Sequence, residues 1–318
     1  MSDQKDNGMV NGLEPKKIFM RALDPIHIGA GGYRLGRVDN TIIRDPATDI
    51  PKIPGTAIAG VIREFTILHK MENDDECKNK TTEKEKRTCA EEKVKSYFGT
   101  GESKGMLRFY DGQIIFFPVS SILGTVWITT KELLEYWFIE LNDNNGNTIT
   151  IPDNNHDEAY ALKGIDSQKP LNLGWLLLEV DSLDNTFENL LSSKFKHEGI
   201  LDYVQRIVIV SEKLFSHIVN DNLEIRTSVR IDPTTGTAAE GALFTYEAIP
   251  RGTVLGFEVV KDNTREKDNI DIEIEDIFPY FKLLGIGGMG TRGFGRIELL
   301  NINKGKKKLG GEVKNAES

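Results

Sequence analysis

The chain has 318 residues, with 40 lysines and arginines against 49 aspartates and glutamates, a net charge of −9. Its 39% hydrophobic content supports a large core, so global disorder is excluded. The acid excess argues against a generally basic nucleic-acid binder and leaves only a local cationic track for phosphate.

Residues 1–15 read as a disordered arm: MSDQKDNGMVNGLEPKK is polar and lacks the apolar middle of a signal peptide. No apolar run approaches the roughly 20 residues of a membrane span, so a cytoplasmic protein without a membrane partner is expected. From Lys16, KKIFMRALDPIHIGA has a β bias and runs into Gly29, Gly31, Gly32 and Gly36. VDNTIIR (38–44) predicts a short strand that Asp45-Pro46 ends in a turn. Pro54-Gly55-Thr56 opens a helix with Ile58, Val61, Ile62, Phe65 and Leu68 on one face and Thr56 as its N-cap.

Residues 71–96 hold 8 acidic and 7 basic side chains among 26, which predicts a solvated, helical or partly disordered insertion. Its Cys77 and Cys89 are expected to be free thiols. Strands follow in MLRFYDGQIIFFPVSSILGTVWITT, then a helix from Thr130 to about Leu141 and a loop over 142–158. LNLGWLLLEV (171–180) reads as one buried strand, with helices near 185–196 and 212–219 after it. Residues 222–249 alternate around Pro-Thr-Thr-Gly and predict a long hairpin. TVLGFEVV is a further strand. IEDIFPYFKLLG predicts a helix with Asp276 as cap and Pro279 in the first turn. GIGGMGTRGFGRIELLNI and a flexible basic tail, 304–318, close the chain. Strands and helices mix without a repeated βαβ period, so the fold class is α+β.

Gly285–Gly290 spells G-x-G-x-x-G, but a helix precedes it and a strand follows, the reverse of a dinucleotide fold. Bare amides beside Arg292 and Arg296 suit a phosphate chain, or make a purely structural turn. The helix opening at Thr56 is a second anion-friendly feature. With Arg21, Arg34, Arg37, Arg63 and Arg292, these build the candidate basic track. Asp39, at the edge of the glycine-rich loop, reads as a metal ligand or proton acceptor, or as a solvated turn carboxylate. His27 precedes that loop and reads as a core histidine or a participant in the same chemistry, whereas Asp45 reads as a turn residue. There is no GK[ST] phosphate loop, no GxSxG elbow and no HExxH.

Four ordered stretches carry a resemblance: DPIHIGAGG…LGRVDNTIIRDPATDIPKIPGTAIAGVIRE (24–64), FGTGESKGMLRFYDGQIIFFPVSSILGTVWIT (98–129), LFSHIVNDNLEIRTSVRIDPTTGTAAEGALFTYEAIPRGT (214–253) and GIGGMGTRGFGRIEL (285–299). Together the chain resembles the RAMP superfamily, in particular the repeated backbone subunits of type III CRISPR effectors of the Cmr branch (type III-B). The resemblance implies a ferredoxin-like, RNA-recognition-type palm over 16–303. The palm would carry the helical insertion 71–96 and a β-hairpin thumb within 222–249, with Arg230, Asp232, Thr237 and Leu243 on the thumb.

The resemblance further implies that Thr56, Arg63, Arg37, Gly287, Gly288, Gly290, Arg292 and Gly293 bind guide RNA. Asp39 matches the family's essential aspartate, holding Mg²⁺ or Mn²⁺ for attack of a target 2′-OH on the adjacent phosphate, and His27 is a second catalytic candidate. Implied partners are guide RNA, target single-stranded RNA, further copies of the chain in a helical filament, a large polymerase-type subunit and a small helical subunit. Two positions depart from the pattern: Pro54-Gly-Thr-Ala-Ile-Ala-Gly60 where relatives read PGSSLKG, and Ser120 where they often carry arginine. The alternatives are a non-catalytic guide-binding scaffold, a repeat-RNA processing nuclease, and a like fold with an unrelated ligand.

Overall fold

Alternation along β1 (Pro15–Ala22) fixes two layers: Ile18, Met20 and Ala22 enter one apolar cluster and Phe19 the opposite one. The same parity runs through β13 (Val254–Lys261), where Leu255, Phe257 and Val259 face the first cluster and Val254 the second. The computed structural model describes residues 13, 15–31, 38–138, 159–166, 169–183, 185–262, 272–301 and 308–309.

Between these strands the chain runs β2 (Lys52–Ile53), α1 (Gly55–Asn73), α2 (Asp75–Lys78), α3 (Glu83–Phe98), β3 (Leu107–Phe109), β4 (Gly112–Ser121), β5 (Gly124–Thr129) and α4 (Lys131–Trp137). It continues with β6 (Ala159–Lys163), β7 (Leu171–Leu173), β8 (Leu176–Leu178), β9 (Val180–Ser182), α5 (Asn185–His197), β10 (Ile207–Val210), α6 (Glu212–Asp221), β11 (Glu224–Ile231) and β12 (Ala238–Ala248). After β13 come β14 (Ile272–Glu273), α7 (Ile274–Leu283), β15 (Ile297–Leu299) and β16 (Lys308–Leu309).

The central mixed sheet has the order β15-β1-β13-β4-β5-β10-β6-β9, with β2 on β4 and β3 on β13. Its first face is covered by α1 and α7, where Ile58, Ile62 and Phe65 meet Ile277 and Phe281; the Phe65 and Phe281 rings lie edge to face at 4.9 Å. The second face is covered by α4 and α5 through Trp137, Phe138, Phe187, Leu191 and Phe195. A bulge in β4, where the register shifts opposite Val254/Leu255, lets Ile115 and Phe116 both face this second layer. Gly256 makes room for it: a Cβ there would lie 2.6 Å from Ile115 and 2.8 Å from Trp137.

The hairpin over 222–249 forms as β11 and β12, pairing outside the main sheet. Several expectations are corrected. Pro54, not Thr56, precedes the first turn of α1 and supplies no side-chain cap; the Gly55 amide is instead capped by Asp111 Oδ1 at 2.8 Å, from the turn before β4. Residues 171–180 double back as β7 and β8, because Gly174 turns at φ +62° and leaves Trp175 exposed. Residues 38–44 form single bridges instead of a ladder strand. Helix α7 starts before Asp276, so Pro279 lies inside it.

The insertion is helical, but one face is not solvated: Cys77, Ala90, Val94 and Tyr97 join the first core cluster. The two cysteines are not free, since α2 folds back on α3 and pairs Cys77 with Cys89 in a disulfide, Cα to Cα 5.4 Å. The expected loop over 142–158 lies outside the described residues, as do 1–12 of the N-terminal arm and most of the tail. No helix among the described residues is long and apolar enough to cross a membrane.

Candidate nucleic-acid interface

The site is built around β12. There Thr245 and Glu247 alternate with Tyr246, and the alternation divides two neighbours. Thr245 and Glu247 hold the segment 38–44, which lies along the edge of β12 through Asn40 N–H to Thr245 O and Glu247 N–H to Asn40 O, both 3.0 Å. Tyr246 packs with Phe294 of the loop that follows α7.

Asp39 is partly exposed at the foot of the hairpin. Its Oδ2 accepts hydrogen bonds from the Thr245 amide and hydroxyl, each 2.8 Å, and the Asp39 amide donates to the same hydroxyl at 2.9 Å. The backbone and then the side-chain bond from Thr245 hold its carboxyl below the usual 3.8, against a smaller opposing effect of burial. No other described residue donates a hydrogen bond to Oδ1.

Glu247 is 9% exposed and meets Arg44 in a two-pronged pair, Nη2 to Oε1 2.6 Å and Nη1 to Oε2 2.9 Å. The same carboxylate accepts the Ile42 amide at 3.1 Å, while Arg44 Nε reaches Asn220 of α6 at 3.1 Å. His27 is 6% exposed, with Nδ1 2.7 Å from Glu247 O and its ring edge-on to Tyr246 at 5.7 Å. These contacts make one buried polar brace beneath Asp39.

The glycine-rich loop needs its glycines for close approach. Gly287 sits at φ +85°, where a Cβ would be 2.6 Å from His27 O, and the Gly288 amide donates to that oxygen at 2.9 Å. Gly295 sits at φ +92°, with a Cβ position only 2.3 Å from Ile286 O. Gly295→Ala is therefore expected to lower stability by about 1–3 kcal/mol in urea unfolding; an unchanged midpoint would show that the loop does not need this crossing. Within the loop Met289 and Gly293 are left-handed and flank a 3₁₀ turn, Gly290–Arg292.

Arg292 and Arg226 bring cations to this surface. Arg292 Nη1 donates to the Tyr246 hydroxyl at 2.8 Å, and the Arg226 guanidinium lies 4.8 Å from the Phe294 ring centre. Arg226 is also paired with Glu224. Of the five arginines of the expected track, Arg34 and Arg37 lie outside the described residues. Arg21 shares Glu298 with Lys282, at 2.8 and 2.7 Å, and stacks on the Tyr203 ring. Among the described residues Arg63 and Arg292 make no ion pair within 4 Å, although Arg63 lies close enough to Glu64 to help hold that carboxylate ionised.

Thr56 and Arg63 share one outer face of α1 with Gly60, opposite buried Ile58 and Ile62. Neither hydrogen-bonds to the Asp39 cluster among the described residues. On the hairpin, Leu243 is 63% exposed, and Val229, Ile231 and Phe244 are also open to solvent. Thr237 is exposed, and Asp232 caps the tip turn by accepting the Thr234 amide at 2.8 Å. The Arg230 side chain lies outside the described residues. Asp45 is the turn residue expected, accepting the Ala47 and Thr48 amides.

Sequence reasoning missed Arg44, Thr245, Tyr246, Glu247 and Arg226. A single glutamate inside the apolar run FTYEAI was the available signal, since a buried carboxylate requires a cationic partner.

Among the described residues no group of three histidine, cysteine, aspartate or glutamate side chains could hold a metal ion. A resident, protein-built metal cage is therefore not what these residues form. Mg²⁺ usually keeps its waters and takes one or two carboxylates together with substrate phosphates. The open Oδ1 of Asp39 fits that lesser role.

The sequence model of the RAMP superfamily matches residues 19–298. A curated protein of Pyrococcus furiosus, "CRISPR system Cmr endoribonuclease Cmr4", is 29% identical over 304 residues, covering 89% of this chain and 94% of that one. A shorter match, 37% over 62 residues, joins 17% of the chain to 29% of "CRISPR system Cms endoribonuclease Csm3" of Enterococcus italicus. Among solved structures, a chain of the type III-B Cmr-beta complex bound to cognate target RNA superposes with TM-score 0.63 at 15% identity, over 90% of this chain and 96% of that one. Oligomeric Cmr4 from Pyrococcus furiosus superposes with TM-score 0.60 at 22% identity, over 90% and 97%. The chain belongs to the RAMP superfamily.

Proposed function

We propose that the chain is the repeated, guide-binding backbone subunit of a type III-B CRISPR effector complex, and the endoribonuclease that cuts target RNA within it. The observation that carries this reading is the ionised, partly exposed carboxylate of Asp39, tied by Thr245 to the foot of an exposed two-stranded ribbon. The family membership, and a relative at 29% identity that bears the name endoribonuclease, support it.

On this reading the sheet with its helices is a ferredoxin-like palm and the hairpin is a thumb. A lone ribbon is marginal in water and exposes Val229, Ile231 and Leu243, which suits insertion between base steps. Unstacking costs a few kcal/mol per step and splays one nucleotide. The 2′-OH of that nucleotide then lies in line with its own phosphate, so cleavage needs mainly positioning and charge neutralisation. The products are a 2′,3′-cyclic phosphate and a 5′-hydroxyl.

A carboxylate held below its usual range is a weak base, so Asp39 acts here by orientation and charge more than by proton abstraction. Its Oδ1 would hold Mg²⁺ or Mn²⁺ together with an RNA phosphate; such an ion, when bound, neutralises charge at the scissile phosphate. His27, buried against Glu247 and Tyr246, fixes the backbone beneath Asp39. The amides of Gly287 and Gly290, with Arg292 and the bare backbone at Gly288 and Gly293, face guide phosphates on one side, and Thr56, Arg63 and Arg37 on the other. Further copies in a filament would repeat the cut at even intervals. The large polymerase-type and small helical subunits are the remaining partners, and the setting is the cytoplasm.

The test is a complex reconstituted on a defined guide with end-labelled target. Evenly spaced cuts bearing 5′-hydroxyl ends are expected. Chelation by EDTA is expected to stop cutting while target stays bound. Binding of guide and target without any cut would instead establish the second reading, a non-catalytic scaffold. Cuts only in precursor repeat RNA would establish a processing nuclease.

A further inference from the structure

The insertion places a disulfide whose two cysteines differ in access. Cys77, on the four-residue helix α2, is fully buried, at 0% exposure. Cys89, on α3, is only partly buried and lines an open groove with Glu76, Lys80, Lys84, Glu85 and Glu92. Cys77 does not line that groove. We infer that the Cys77–Cys89 disulfide is a reversible S-thiolation site, opened by small thiols that attack the Cys89 sulfur and release Cys77.

Thiol–disulfide exchange proceeds by attack of a thiolate on one sulfur, and access decides which sulfur is attacked. The thiolate sulfur bonds to Cys89 Sγ as the Cys89–Cys77 bond breaks. The electron pair leaves on Cys77 Sγ, which takes a proton from water. A second thiolate then attacks the attached thiol's sulfur, freeing Cys89 and leaving the reductant as its own disulfide. The attacking class is a small thiol that fits the groove. Disulfides of proteins in reducing compartments are generally of this reversible kind.

The mechanical consequence is local. A helix of four residues has little stability of its own and depends on what pins it. Besides the burial of Cys77, two pins hold α2: the disulfide, and a polar one in which Asp74 caps the Glu76 and Cys77 amides while Lys93 Nζ pairs with Asp74 at 2.7 and 2.9 Å and with Glu76 at 3.1 Å. Reduction removes the first and leaves the second. The turn from α2 to α3 loosens, while α1 and the sheet keep their packing.

The test uses the full chain, purified without reductant, with reduced glutathione as probe. After brief exposure it is quenched and unfolded in acid, alkylated with maleimide and mapped by peptide mass spectrometry. Glutathione on Cys89 with maleimide on Cys77 is expected to exceed the opposite isomer by about tenfold or more. Full reduction is expected to speed amide hydrogen exchange over 75–82 and leave 254–261 unchanged. Glutathione equally on both sulfurs or mainly on Cys77, reaction no faster than global unfolding, or unchanged exchange over 75–82 would each overturn the inference.

Discussion

Asp39→Asn is expected to lower target-RNA cleavage by about 100- to 1,000-fold, the scale set by removing one preorganised charge from a cleavage site, while guide and target affinities stay within a few fold. Asparagine keeps an oxygen for the Thr245 amide and hydroxyl, so the foot of the hairpin should hold its shape. What it removes is the charge. The Thr245 bonds keep that charge in place across the working range: with the carboxyl held below its ordinary value, its contribution to folding is complete above that ordinary value. The contribution is lost only as pH falls through the depressed one. Cleavage should therefore show no acid limb from Asp39 near neutrality. Cleavage by the variant at the parent rate, measured on labelled target with saturating complex, would remove Asp39 from the chemistry.

The largest effect on stability is expected at Arg44. Its partner Glu247 is 11% exposed at the side chain and Arg44 16%, so the pair is shielded from water. Arg44→Met leaves a buried carboxylate without its cation and removes the bonds to the Ile42 carbonyl and to Asn220, while the Ile42 amide stays on Glu247. A loss of about 3–5 kcal/mol is expected in urea unfolding. The double variant Arg44→Met, Glu247→Leu should regain part of this, because a matched apolar pair leaves no charge stranded. A single-variant loss below about 1 kcal/mol would mean that the pair is hydrated like a surface bridge. Because the same pair carries the segment that ends at Asp39, cleavage should fall with it, whereas Gly295→Ala should act mainly on the opposite loop.

Local patterns foretold what depends on local patterns. The alternation of 224–248, the apolar face of α1 and the Asp45 turn all follow from residues within one or two turns of one another. What escaped is what distant segments supply to each other. Thr56 has the composition of a cap, yet the cap comes from Asp111, 56 positions away from Gly55. The run 171–180 has the composition of one strand, yet a left-handed glycine folds it in two. Cys77 and Cys89 look solvated in a charged run, and only the reversal between α2 and α3 brings them together.

The site divides the same way. Asp39 and the glycine-rich loop are legible because their residue types are unusual for their places. Arg44, Glu247 and Tyr246 are not, since their roles exist only once the edge of β12 receives the segment 38–44. Arg21 shows the converse: the sequence offers a bare cation, and the fold gives it the Glu298 carboxylate, shared with Lys282, and the Tyr203 ring at 3.4 Å.

A target RNA bearing one 2′-deoxynucleotide at a cut position tests the central claim most directly. If, as proposed, the splayed ribose beside Asp39 is the nucleophile's source, that single cut should vanish while its neighbours, made by other copies, continue at their usual rate. Continued cutting at the deoxy position would contradict in-line attack by the 2′-OH, and with it the role assigned to the foot of the hairpin.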